Sequence, residues 1–120
     1  MPGAAETLVQ IGLLGEALDG GPVGIFLADE TMKYIAVNRY ACEMLGYTRE
    51  ELLGKQVTDV APAPTSAASY RQMIVERGQT GTTELVRKDG GTLEINYRAA
   101  ETRAAGLLLY VSVVWPVEKT

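Results

Sequence analysis

Few side chains in this sequence have the type and spacing that chemistry requires. Histidine is absent from all 120 residues. Its absence removes imidazole metal ligands, histidine-ligated haem and a histidine general base. Cys42 is the only cysteine, so no internal disulfide can form and nothing points to an oxidising compartment. A reactive thiol needs a depressed pKa from nearby cations or a helix start. Arg39 favours that state and Glu43 opposes it, and a packing role accounts for Cys42 more simply. The adjacent carboxylates Glu50 and Glu51 have the composition of an acid–base pair, yet a helix start explains both. Thr48 to Glu51 reads as a capping box, and Glu50 adds favourable charge to the same first turn. An enzyme working on a buried substrate would have only Asp59, Glu43 or a tyrosine to move a proton. No phosphate loop, zinc pattern or nucleophile elbow occurs. What remains are polar groups on apolar strands: Tyr97, Tyr110 and Ser112. They suit either a largely apolar ligand site with a few orienting groups or a filled core.

The elements that must position these groups are arranged around Asn38 to Gly54. Asn38 is a good N-cap, and Ala41, Met44 and Leu45 follow at helical spacing before Gly46 stops the turn. A second short helix opens at Thr48, with Tyr47 and Leu52 as its hydrophobic staple, and ends at Gly54. Helices this short need strands to hold them. Upstream, residues 5 to 18 predict a helix whose apolar residues spread well beyond one stripe. It either lies across its own sheet with part of its surface wet, or meets a second copy through Leu8, Ile11, Leu14 and Leu18. Gly20-Gly21-Pro22 ends it. Val23 to Asp29 and Lys33 to Val37 read as a strand pair. Lys55 to Pro64 reads as irregular, and a third helix is expected from Thr65 or Ser66 to about Arg77, with Tyr70, Met73 and Ile74 on one face. Strands follow at Thr82 to Lys88, Thr92 to Arg103 and Leu107 to Val114, turning at Asp89-Gly90 and Ala104-Ala105-Gly106. In the middle strand Leu93, Ile95, Tyr97 and Ala99 share one face, and Glu94, Asn96, Arg98 and Ala100 share the other. The whole is an α+β domain over residues 21 to 118 with a flanking helix over 1 to 20.

Asn38-Arg-Tyr-Ala-Cys-Glu-Met-Leu-Gly-Tyr-Thr-Arg-Glu-Glu-Leu-Leu-Gly54 resembles the PAS domain family, whose members carry such a segment after two strands. Gly24 to Asp29 and Tyr34 to Asn38 are similar to that family's opening hairpin. Arg87-Lys88-Asp89-Gly90-Gly91 is similar to the turn between its third and fourth strands. The resemblance covers residues 20 to 117 and implies a five-stranded antiparallel sheet of order 2-1-5-4-3, with short helices enclosing a pocket on one face. It implies a sensor rather than an enzyme. The family's flavin photoreceptors carry a cysteine in the stretch corresponding to Lys55 to Ala63 and a glutamine where Val114 stands, and both are missing here. A photoactive flavin is therefore disfavoured along with haem, and the cofactor is unknown. Pro116 also replaces the aspartate with which many members end the last strand, so a different exit geometry is expected.

Fifteen acidic residues against eleven basic ones, a net charge of −4, disfavour binding to phosphate backbones. No segment is apolar enough to cross a membrane or serve as a secretory signal, and a cytoplasmic location is expected. The sequence thus reads as a sensory module that binds a small apolar ligand or a protein partner and signals through a homodimer contact, either alone or as part of a larger signalling protein. A ligand-free dimerisation module and a small enzyme are the alternatives. The expected ligand-site residues are Ile25, Leu27, Ile35, Met44, Leu45, Leu52, Met73, Tyr97, Tyr110, Ser112 and Val114.

Overall fold

A computed structural model describes residues 4–61 and 80–118. The expected third helix, with Tyr70, Met73 and Ile74, lies outside the described residues. The elements in order are α1 (Ala4–Asp19), β1 (Gly24–Ala28), β2 (Tyr34–Val37), α2 (Arg39–Leu45), α3 (Arg49–Leu52), α4 (Val57–Val60), β3 (Thr80–Val86), β4 (Thr92–Ala104) and β5 (Leu107–Pro116). The strands form one antiparallel sheet of order β2-β1-β5-β4-β3, as the resemblance implies. The most apolar strand, β5, lies at its centre between β1 and β4.

Local chemistry explains most boundaries. The Asn38 side chain accepts the Ala41 amide to start α2, and Gly46 closes it at φ 81°, a left-handed conformation without steric cost for glycine. At α3 both halves of the Thr48–Glu51 capping box are made. The last hairpin turns through two residues of positive φ, Ala105 at 53° and Gly106 at 78°, the conformation a two-residue turn requires. An alanine there costs about 1 kcal/mol in steric strain. Ala105→Gly or Ala105→Asn is therefore expected to raise stability by up to about 1 kcal/mol, read as a higher urea midpoint with an unchanged slope.

Two expectations need correcting. Lys55 to Pro64 is not irregular throughout, because Val57–Val60 makes one helical turn that buries both valines, with the Asp59 carboxylate accepting the Gln56 amide at 2.9 Å. The last strand does not stop at Val114 but runs on to Pro116, which pairs with Ile95 as its final residue, and Val117 N–H still donates to Glu94 C=O at 3.1 Å. Amides alternate sides along a strand, so the one missing at Pro116 faces the β1 side, where that strand has already ended at Gly24.

The helices α2, α3 and α4 cover one face of the sheet, and the core lies between. Leu45, Leu52, Val60 and Ile95 are fully buried there beside Phe26, Tyr34, Tyr110 and Val114. Gly24 sets the spacing of α2 from β1. A Cβ on Gly24 would stand 2.9 Å from Val114 Cγ2, 3.3 Å from Met44 Cε and 3.5 Å from the Ala41 backbone. Met32 is a core residue that the sequence reading passed over. It sits in the β1–β2 turn at φ 65°, completely buried, and its carbonyl accepts the Val57 amide at 2.8 Å.

Candidate functional site

Register decides which side chains can share a site. Gly24, Phe26 and Ala28 of β1 lie opposite Val114, Ser112 and Tyr110 of β5. Tyr97 and Ala99 of β4 continue that row, Tyr97 opposite Val114 and Ala99 opposite Ser112. Tyr97, Tyr110, Ser112 and Val114 therefore face the helices, where Met44, Leu45 and Leu52 come down onto them. Met44 lies against Val114 over Gly24, and the Tyr97 ring lies across Gly81, its hydroxyl 3.1 Å from where a Cβ would stand. Seven of the eleven expected residues are thus gathered on one side of the sheet, six of them in or against the buried core and Ser112 half-buried. Met73 lies outside the described residues.

Three of the eleven are elsewhere. Ile25 and Leu27 alternate with the inner residues of β1, so they stand on the outer face opposite Val113 and Val111, half-buried. A strand's side chains cannot all face one pocket, and these two are withdrawn from it. Ile35 is also misplaced. The β1–β2 pairing slips between Leu27 and Ala28, so that Ala36 pairs with Leu27 and Tyr34 with Ala28. The extra residue, Ile35, is turned outward and is 42% exposed. It borders a shallow hollow of about 340 Å³ with Asp29, Thr31, Leu107 and Leu109.

Cys42 is buried on α2, and burial pushes its thiol up despite the opposing pull of the Arg49 guanidinium. It is a packing residue, as expected from the sequence. Among the described residues no group of three or more His, Cys, Asp and Glu could hold a metal ion. Among the described residues the carboxylate of Glu51 is the most perturbed charge. The Lys88 ammonium, 2.7 Å away, and the Thr48 amide hold its pKa down to about 2. The contact ties α3 to the β3–β4 turn, where Lys88 N–H also donates to Leu45 C=O at 2.9 Å. A folded pKa below the ordinary 4.5 means that this contact stabilises the fold above that pH and is lost as pH falls from about 4.5 towards 2. Both side chains reach solvent, so salt weakens the pair. Glu51→Gln is expected to make stability less steeply dependent on pH over that window, measured by urea unfolding at low and high salt.

Asn38 ties distant segments together in a way the sequence showed only in part. Beyond capping α2, its Oδ1 accepts the Ile25 amide at 2.9 Å, and its Nδ2 donates to Leu18 C=O at 2.6 Å and Val23 C=O at 2.8 Å. Those partners are 13 to 20 residues away, so no local pattern announces them.

The expected homodimer residues also have a definite setting. Leu8, Val9, Ile11, Leu13 and Leu14 are 59% to 69% exposed, while Leu18 is half-buried near the domain. α1 does not lie across its own sheet and is joined to the domain at its C-terminal end. No helix among the described residues is long and apolar enough to cross a membrane.

No curated protein matches the chain. Solved structures share its fold. The PAS domain of an HTR-like protein from Haloarcula marismortui is similar over 94% of this chain and 96% of its own, at 16% identity and a TM-score of 0.80. A domain of a sensory box sensor histidine kinase/response regulator from Geobacter sulfurreducens is similar over 93% and 98%, at 20% identity and a TM-score of 0.75. An RNA-binding light-oxygen-voltage receptor is similar over 97% of this chain but 35% of its own, at 18% identity and a TM-score of 0.74. A family model described as a PAS domain matches residues 22–114, from just before β1 to Val114 in β5, and the chain belongs to the PAS domain family.

Proposed function

We propose that this domain is the sensory module of a larger signalling protein. It takes a small, largely apolar molecule or a protein partner against the inner sheet face, and passes the change to a homodimer contact made by α1. Family membership supports a sensory and signal-transducing role. The observation that carries the dimer contact is the surface of α1, where five large apolar side chains stand about 60% exposed on a helix held only at one end. Such a surface is costly to leave in water, and a second copy supplies a matching one. Met44 on α2, with Tyr97 and Ser112 on the inner sheet face, are only half-buried and are the side chains placed to meet a ligand. Short helices held by few contacts belong to the least stable part of a domain, from which responsive elements are drawn.

A second reading keeps the dimer and removes the ligand. Leu45, Leu52 and Ile95 are completely buried and Tyr110 and Val114 nearly so, which favours a filled core. Native mass spectrometry of the protein as purified separates the two readings. The sensory reading expects a dimer with a retained small molecule that denaturation releases, and no visible absorption band. A dimer of bare polypeptide mass would leave the dimerisation reading, and a bare monomer would overturn both.

A further inference from the structure

α1 is fastened to the domain by two sets of contacts that meet the short helices. The first is Asn38, whose amide bridges Leu18 C=O at the end of α1 to the Ala41 amide in α2 and to Val23 and Ile25 at the start of β1. The second is Asp19, the last residue of α1. Its Oδ1 accepts the Arg39 amide at 3.0 Å and the Arg49 guanidinium at 2.6 Å, and Arg49 Nε donates to Val37 C=O at 3.2 Å. One attachment is buried and neutral, the other exposed and charged. Both end on the first turns of α2 and α3, the helices that cover the inner sheet face.

The sheet is closely packed beneath α2. Over Gly24 a methyl group would already crowd the side-chain ends of Val114 and Met44, with the Ala41 backbone in ordinary contact at 3.5 Å. A body larger than a methyl group seated between α2 and the sheet therefore has to press on the α2 backbone as well as on the Met44 side chain, since a close-packed interior has little free volume to yield. Lifting α2 carries the Arg39 and Ala41 amides with it, and each is bonded to a group that holds α1.

We infer that Asn38 and Asp19 form a joint that converts displacement of α2 from the sheet into a tilt of α1. The inference rests on the signalling role proposed for α1, and it names the part that couples the inner face to that helix. The rise of 1.5 Å per residue puts Gln10 about 13 Å from Asp19, so a tilt of about 10° moves it by about 2 Å.

Gly24→Ala supplies a wedge under α2 without any ligand. Nitroxides at Gln10→Cys on α1 and Glu84→Cys on β3, in a Cys42→Ala background, report the distance by pulsed electron resonance. Labelled protein is diluted in excess unlabelled protein so that only the intramolecular distance is read. The wedge is expected to shift the mean distance by about 2 Å, given the lever arm above. Adding Asp19→Asn and Asn38→Ser should reduce that shift by at least half. No shift with the joint intact, or an equal shift with it cut, would overturn the inference. Should Asn38→Ser fail to fold, Asp19→Asn with Arg49→Gln cuts the exposed attachment alone, and an undiminished shift again overturns it. The distance is intramolecular and is read equally on a monomer, so the failure of the dimer proposal would not be mistaken for failure of the joint.

Discussion

Asn38→Asp is expected to destabilise the domain at least as much as Asn38→Ala, although aspartate is as good an N-cap as asparagine. Alanine removes the cap of α2, worth about 1 kcal/mol, and leaves the partly buried Ile25 amide without the acceptor that holds it. An unsatisfied buried group costs about 1–3 kcal/mol, so the total is about 2–4 kcal/mol. Aspartate keeps both bonds of Oδ1, to Ala41 and Ile25. Its second oxygen, however, would face the carbonyls of Leu18 and Val23, which now receive the amide hydrogens at 2.6 and 2.8 Å. A carboxylate there either sits charged against two carbonyl dipoles or takes up a proton and satisfies one of them. The second route raises its folded pKa above the unfolded value of about 3.9, so the deficit of Asn38→Asp should shrink as pH falls towards 4. Urea unfolding followed by circular dichroism at pH 7.5 and 4.5 measures both effects. An Asn38→Asp domain as stable as wild type would mean that Asn38 acts only as a helix cap.

The second large effect is expected on assembly. At 100° per residue Leu8, Ile11, Leu14 and Leu18 fall on one side of α1, with Val9, Leu13 and Ala17 on the opposite side. Wild-type protein is expected to sediment as a homodimer, and Leu8→Glu with Leu14→Glu to weaken it by more than 100-fold in Kd. Burying a leucine is worth about 1.5–3 kcal/mol, and four leucines are lost per dimer. A hundredfold corresponds to only about 3 kcal/mol. Both side chains are more than 60% exposed, so the thermal unfolding of the domain core should not change beyond the loss of the dimer itself. Sedimentation of the same variant at several concentrations reads the outcome directly. An unaltered mass would remove this face of α1 from the assembly, and Val9→Glu with Leu13→Glu would then test the other.

Features that depend on neighbours a few residues apart are legible along the chain. The Asn38 cap, the left-handed Gly46, the Thr48–Glu51 box and the alternation of β4 arise within a turn or a strand, so composition and spacing expose them. The sheet order was legible only through the resemblance of several such motifs in sequence. Tertiary structure alone decided the rest. A one-residue slip at Leu27/Ala28 turned Ile35 outward, and strand alternation put Ile25 and Leu27 on the outer face while Val114 faced the helices. Met32 entered the core from a turn in a conformation that side chains rarely adopt, which no apolar periodicity could announce. Asn38 gained three partners across 13 to 20 residues of chain, which tied a helix cap to the end of α1 and the start of β1. Each of these depends on which groups long-range packing leaves without a partner, and buried polar groups and apolar surface find partners in space rather than along the chain.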